Sequence, residues 1–564
     1  MIKKNIKSMQ ILSARGCPFE WAMGGALLIG ILMITGFILL IIVNGFAAFF
    51  PKPVYKLELE DSRIFAGEPI RKELFRPSED TLKGLDKTLK DAISLNDGFA
   101  RRTLYRICNY DLYSIEHVWV EDYKIKRLSK PSGVYFIERA EWGPFIGFIR
   151  SLNIKNKTLP FDDNSINIFA EEHKRALERK KNIYHIQKKK IGSINHAIEK
   201  RRLFLKKIKL KHGGDSESYK DQHKKSLIHF ENLKKKYDEL KTQVDLIKKE
   251  DEQYRAVLSD INGRTKKIKL SDIVRYYPAN DLTLLGKLSI YFSRWIEFLT
   301  DVPREANTEG GVMPAIFGTF VMTLLMVIFV APFGVIASLY LREYAKQGRI
   351  VSAVRISVNN LAGVPSIVYG VFGLGFFAYV IGGGIDAFFF PERLPNPTFG
   401  TGGVLWASLT LALLTVPVVI VSTEEALSAV PNSLREGSLA CGASKWQTIK
   451  YIILPKAMPG IMTGLILAMA RGAGEVAPLM LVGVVKLAPD LPVDSIFPFI
   501  HLERSFMHLG FHIFDVGFQS RNSEAGKPMV FVTTLLLISL VSLMNAAAIY
   551  IRNRLKRKYH TGHF

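Results

Sequence analysis

The stretch Arg435–Pro455, "REGSLACGASKWQTIKYIILP", decides how this chain is read. Its signals mark boundaries. Ser433 followed three residues later by Glu436 is a capping-box pattern, in which the serine oxygen and the carboxylate each satisfy a free backbone N–H at a helix start. Gly442 supplies the left-handed conformation that ends a helix, and Ser444 with Gln447 repeats the capping pattern two residues on. The stretch therefore predicts helix, glycine turn, helix, stopped at Pro455. A DNA-reading helix-turn-helix has a similar local grammar, so the flanks must decide.

Working outward, six runs are long and apolar enough to cross a bilayer, which takes roughly 20 residues of helix. They are Trp21–Phe50, Val312–Leu341, Ile356–Ile381, Val404–Val421, Ile461–Val485 and Met529–Ile551. A soluble protein would need six buried core helices of this length in one chain, and the 48% hydrophobic content agrees better with an integral membrane protein. Tethered by a few residues between two spans, the Arg435–Pro455 unit cannot reach a major groove. It suits a groove of a peripheral protein, to which it would transmit force. Nucleic acid is thus not expected as a partner, whereas membrane lipid is.

The chain has 564 residues, enough for two or three domains, and a formal charge of +24. Lys3, Lys4, Lys7 and Arg15 precede the first run and "RNRLKRKYH" follows the last, which predicts both termini on the cytoplasmic side. Six spans satisfy that parity. Arg342, Lys346, Arg349 and Arg355 place the loop between spans two and three inside as well. The apolar core of the first run is longer than a signal-peptide h-region, so it is read as a retained span. Of the three cysteines, Cys17 and Cys441 then lie inside and Cys108 alone outside, with no disulfide and no metal spacing expected.

The order Glu436, Gly442, Ile452, Leu454, Pro455 resembles the EAA loop of ATP-binding-cassette importer permeases, with Gly437 and Ser438 in place of the alanines. Three stretches narrow the resemblance: "NLAGVPSIVYGVFGLG" from Asn360, "STEEALSAVPNSLREGSLACGASKWQTI" from Ser422 and "PGIMTGLILAMARGAGEVAPLM" from Pro459. Together they are similar to the PstA-type permease of the phosphate importer, over about Gly310 to the end. The resemblance implies a type I importer permease fold of six transmembrane helices. It also implies Glu436, Gly437, Ser438, Gly442, Ile452, Leu454 and Pro455 as the ATPase-coupling residues. The implied partners are a second permease of PstC type, two ATPase subunits of PstB type and a periplasmic phosphate-binding protein of PstS type. No cofactor is bound directly. The sequence has no G-x-x-x-x-G-K-[ST] loop, so ATP would be used by the partner ATPase and the chain itself is not expected to be an enzyme.

Arg471 and Glu475 lie within the fifth run, four residues apart. An arginine or carboxylate at the centre of a span costs about 2.5–3.5 kcal/mol, so such residues usually face a pathway or a partner. Two readings stay open, a structural ion pair and a part in an anion path, where guanidinium matches phosphate oxygens and the carboxylate limits how tightly the anion is held. By resemblance these are the charged positions of the PstA translocation helix. Asn360 and Ser366 have two readings also, lining the path or hydrogen bonding between helices. Gly370, Gly373 and Gly375 are expected to permit close helix packing.

Between the first two runs lies a long polar segment without counterpart in minimal permeases. "YKLELEDSRIFAGEP" and "SGVYFIERAEWGPF" alternate in the manner of strands. Farther on, Leu177, Tyr184, Ile191, Ile198 and Leu205 recur every seven residues with Ile194 and Ile208, and after "KHGGDSES" the pattern resumes through Leu227, Phe230, Leu233, Tyr237, Leu240, Val244 and Ile247. That predicts an antiparallel coiled-coil hairpin folded at Gly213 and Gly214. Its lysines read as a solvated face over an apolar seam, or as a docking arm.

The expected organisation is a cytoplasmic N-terminus (1–20), a first span (21–50), an extracytoplasmic β-rich module (51–165), the hairpin (166–265), a linker (266–311), a permease core with five spans (312–551) enclosing the coupling loop (424–456), and a basic tail (552–564). The expected function is a permease subunit importing phosphate across the bacterial inner membrane. Alternatives are a permease for sulfate or molybdate, or a membrane-anchored sensor or scaffold working through the hairpin.

Overall fold

The structure, a computed structural model, describes residues 17–78, 81–82, 86–155, 157–494, 499–520 and 523–560. The N-terminal basic residues and the end of the tail lie outside these. Among the described residues six helices are long and apolar enough to cross a membrane: Trp21–Ala47, Met313–Tyr344, Ser366–Phe389, Val404–Ser428, Lys445–Gly474 and Gly526–Arg557.

Two of these differ from the sequence reading in ways that matter for the site. The run expected to begin at Ile356 is divided: Arg349–Leu361 is a separate amphipathic helix, and the third span starts at Ser366 after a turn through Ala362–Pro365. Pro365 explains the division, because proline disfavours helix in the residue before it and lacks the N–H that would continue the ladder. The fifth span begins earlier, at Lys445, and breaks at Glu475, which is extended (φ −76°, ψ 135°) before a short helix Ala477–Val482.

The fourth span is the centre of the bundle. Its Val404, Ala407, Leu411, Leu414 and Val419 share a core with Met322, Met326 and Val330 of the second span, Tyr369 of the third and Ala468 of the fifth. Glycines set the close approaches. A Cβ on Gly373 would stand 2.1 Å from Thr410 Oγ1, and one on Gly370 would stand 2.7 Å from Pro478 Cα. Gly375, by contrast, has nothing within 4 Å of a Cβ among the described residues, so no close approach inside this chain requires it.

Among the described residues the polar segment contains two large antiparallel sheets besides a short ribbon of Pro303–Arg304 with Glu309–Gly310. One has the order β4-β3-β2-β1-β5, with β1 Tyr55–Leu59, β2 Ile64–Phe75, β3 Ala100–Arg106, β4 His117–Glu121 and β5 Ile125–Ser129. The other has the order β10-β9-β7-β6-β11, with β6 Tyr135–Arg139, β7 Phe145–Ile154, β9 Tyr254–Ser259, β10 Thr265–Lys269 and β11 Ile273–Pro278, while β8 Lys157–Pro160 pairs with β7. The second sheet takes strands from both sides of the helical segment, because burying Leu152, Ala256 and Leu258 in one core requires β7 and β9 to be neighbours. The helices are thus inserted into the β module. Residues 266–311, expected as a linker, instead supply β10, β11 and the helix Leu284–Thr300.

The insertion runs out along Asp163–His185, a π-helical turn Ile186–Ile191 and Gly192–His212, and returns along Glu217–Asp251. Ile194 and Leu205 are buried, as is Val244 of the returning helix. Leu177 and Tyr184, expected on the same seam, are exposed, and Phe169, His173 and Ala176 are buried in their place. The π-turn accounts for the shift, since its extra residue moves everything N-terminal to it out of heptad phase. The hairpin also rests on the bundle: Lys188 Nζ donates to the Pro489 carbonyl at 2.7 Å and pairs with Asp490 at 3.1 Å, and Lys206 donates to the Leu394 carbonyl.

Candidate functional site

The unit between spans four and five is built as two helical arms. Asn432–Ala440 forms the first, with Pro431 at its N-cap and no side-chain cap, so the box expected from Ser433 and Glu436 is not made. Proline at that point already fixes φ and removes one donor. At the other end Gly442 has φ +83°, its N–H bonds the Leu439 carbonyl at 2.9 Å and the Ala443 N–H bonds that of Ser438 at 3.2 Å. This is the paired 5→2 and 6→1 closure that left-handed glycine permits. Ser444 and Gln447 then form a complete capping box for the second arm.

The arms are held together and to the bundle by different groups. Ser438 Oγ lies 2.9 Å from Thr448 Oγ1. Arg435 donates to the carbonyls of Val430 at 2.6 Å and Leu427 at 2.8 Å, and its Nη2 stands 2.9 Å from Glu343 Oε1 at the end of the second span. Below them Ile449, Ile453, Ala457 and Ile461 bury against Leu427 and Val430. Glu436, Gly437 and Gly442 stand exposed at the tip, whereas Ile452, Leu454 and Pro455 are half-buried in the shaft. Leu439, Trp446 and Tyr451 are exposed beside them. Sequence reading missed Arg435 as the anchor and Leu439 and Trp446 as part of the tip. Three large side chains exposed on a short polar loop were a signal that could have found the latter.

The second feature is the break in the fifth span. Gly472 lies against Met326, halfway along the second span's helix, with a Cβ there only 2.3 Å from Met326 Sδ. Arg471 and Glu475 therefore sit near mid-bundle, with Arg471 Nε 3.8 Å from Glu475 Oε1. Glu475 is not on the helix with Arg471, as expected, but just past its end, so its backbone is free of the helical ladder on one side. Irregular backbone at membrane depth is tolerated where it is buried in protein or lines a water-filled cavity, and broken helices of this kind are a transporter feature. The short helix after the break packs on Ser366–Phe372 through Gly370 and Pro478, and Ser366 is half-buried at the start of that helix. Tyr369 donates to the Leu361 carbonyl at 2.6 Å and closes the turn that separates the two helices. Asn360 is exposed on the amphipathic helix before that turn and is not joined to the pair. Nearby, Arg355 and Glu424 pair at 3.3 Å beside a cavity of about 320 Å³.

A third cluster joins the β module to the spans. Arg294 donates to Glu138 at 2.6 and 2.8 Å, to the Tyr277 hydroxyl at 2.8 Å and to the Phe49 carbonyl at 3.1 Å. Burial would raise the Glu138 carboxyl, but Arg294 and Arg275 outweigh it and hold it below the usual range. Burial raises Glu68, against the pull of Arg294, Arg106 and Lys52, and raises Glu309, against Arg106. Among the described residues no group of His, Cys, Asp or Glu is arranged to hold a metal ion.

With this geometry in hand, residues 330–557 match the family described as "Binding-protein-dependent transport system inner membrane component". That is the class to which this segment is similar. Within it, the chain is 39% identical over 193 residues to the phosphate transport system permease protein PstA of Mycobacterium leprae, covering 34% of this chain and 57% of that one. It is 34% identical over 186 residues to PstA of Haemophilus influenzae, covering 33% and 59%. It is 35% identical over 206 residues to the probable ABC transporter permease protein YqgH of Bacillus subtilis, covering 36% and 62%. Each of these matches spans less than two thirds of the relative. A methionine ABC transporter in inward-facing conformations overlays 43% of this chain and 94% of that one at 21% identity, with a TM-score of 0.32, too low to carry a structural argument.

Proposed function

We propose that this chain is the permease subunit of an ATP-driven importer that moves inorganic phosphate across the bacterial inner membrane. One observation carries the reading: the Asn432–Thr448 arms project from the bundle with an exposed apolar tip, inside the segment 330–557 that matches the binding-protein-dependent transport family. In this reading the core has the type I importer fold, both termini are cytoplasmic and the β module with its coiled-coil hairpin is periplasmic.

Driving is required, because bringing a dianion into an inside-negative cell costs roughly 2.3 kcal/mol per charge per 100 mV. The chain pairs with a PstC-type permease, receives phosphate from a PstS-type binding protein and couples to two PstB-type ATPases. Closure of the ATPases pushes on the tip, and Arg435 passes the displacement to spans two and four. Arg471 and Glu475 form the polar step in the path, with Ser366 beside them and Asn360 at its cytoplasmic end.

The test is labelled-phosphate uptake at limiting concentration in cells lacking only this chain. Uptake should vanish and return with the wild-type gene. Persistence without any second high-affinity system, or competition by sulfate or molybdate in place of phosphate, would overturn the substrate assignment.

A further inference from the structure

The helix Leu284–Thr300 is amphipathic in the inverse sense for a surface helix. Its charged side faces protein: Arg294 is engaged by Glu138, and Glu297 pairs with Arg275 at 2.7 Å. Its apolar side faces outward. Leu285, Phe292 and Ile296 are 79%, 60% and 64% exposed, with Leu288 and Leu299 exposed beside them. These five positions fall within one narrow stripe at helical spacing, fringed by the exposed Ser289, Ser293 and Thr300. A water-facing stripe of this size is costly, at roughly 25 cal/mol per Å² of apolar surface, so something covers it.

What covers it follows from where the helix lies. Trp295 packs on Phe46 and Phe49, at 5.6 and 5.2 Å between ring centroids, and Tyr291 packs on Phe50 at 6.2 Å. Those phenylalanines are at the end of the first span, whose Leu39, Val43 and Phe46 are themselves exposed. The stripe therefore continues the outward apolar face of a membrane span at the level where that span leaves the bilayer. Trp and Tyr at this level match the aromatic belt of membrane–water interfaces.

We infer that Leu284–Thr300 lies in the bilayer interface, with Leu285, Leu288, Phe292, Ile296 and Leu299 about 5–10 Å into the headgroup and acyl boundary. The β module is thereby fixed to the lipid surface in addition to its joins to the first and second spans. The partner is the lipid itself, independent of which solute the bundle moves.

The test uses the full chain with its co-purifying partners in lipid nanodiscs, with Cys17 and Cys441 replaced by serine and the buried Cys108 retained. Ile296→Cys, and separately Phe292→Cys, carries a fluorophore that is quenched either by lipids with a nitroxide near the headgroup or by aqueous iodide. Leu246→Cys, 63% exposed on the hairpin, is the aqueous reference. Lipid nitroxide should quench both stripe positions strongly, and iodide should quench them several-fold less than the reference. Iodide access equal to the reference would overturn the inference. So would shielding from both quenchers, which would assign the stripe to a protein partner.

Discussion

Arg435, in the first arm between spans four and five, holds Glu343 at the end of the second span, Nη2 to Oε1 2.9 Å, and also donates to the carbonyls of Leu427, at the end of the fourth span, and Val430, just past it. One guanidinium thus fixes three elements that are far apart in sequence. A force on the arms reaches both spans without first bending a flexible joint.

Removing that cation takes a donor from Glu343 and from the Leu427 and Val430 carbonyls. Breaking a largely buried pair costs about 3–5 kcal/mol. Arg435→Ala is expected to lower the thermal unfolding midpoint of the solubilised complex and to reduce transport per ATP hydrolysed. Arg435→Lys, which keeps the charge but not the fork, should fall between. Unchanged melting and coupling in Arg435→Ala would remove the residue from the force path.

Gly442 makes a separable case because nothing lies within 4 Å of a Cβ there. Within the chain, any effect of Gly442→Ala is then conformational, at roughly 1–2 kcal/mol for holding a non-glycine residue left-handed. Gly442→Asn should be milder, as asparagine tolerates that region. The expected outcome is ATP hydrolysis retained with uptake reduced, graded Gly, Asn, Ala. Equal uptake in all three would mean that the angle between the arms is not what couples.

How much of this was legible beforehand can be traced residue by residue. Gly442, Ser444 and Gln447 were readable because capping and left-handed closure are local and each leaves a fixed spacing. The break at Glu475 was not, since "ARGAGEVAPLM" is uniformly apolar around its two charges and hydropathy does not register where a helix stops inside a membrane. Arg435 to Glu343 spans 92 residues, and no local pattern encodes such a contact. The β strands were visible from alternation, but the pairing of β7 with β9 across the hairpin depends on a shared core. The heptad count failed at Leu177 and Tyr184 because a π-turn leaves no compositional mark.

In the proposed path, the carboxylate of the mid-bundle pair would limit how tightly the guanidinium holds the anion. Arg471→Gln is expected to abolish phosphate uptake while the complex still assembles. Glu475→Gln should instead lower KM and maximal uptake together, because an unopposed Arg471 binds phosphate but releases it slowly. Arg471→Lys should raise KM, having lost the planar fork. If Glu475→Gln raised KM and left maximal uptake intact, the release role would fail, and the pair would be structural.

The joint between the β module and the spans should show opposed pH dependences. Glu68 has its carboxyl raised by burial above its ordinary value of 4.5, so the folded protein holds that proton more tightly than the unfolded chain does. Stability from this group is present at low pH and is lost as pH rises through the raised value. Glu138 runs the other way. Its carboxyl is held below 4.5 by Arg294 and Arg275 despite burial, so its contribution is present above the unfolded value and is lost as pH falls through the lowered one. Melting of the solubilised complex across about pH 4 to 8 tests both. Glu68→Gln should gain on wild type as pH rises, whereas Glu138→Gln should lose most at neutral pH and converge toward wild type in acid. Parallel curves for Glu68→Gln and wild type would mean that Arg294, Arg106 and Lys52 keep that carboxyl at its ordinary value despite burial.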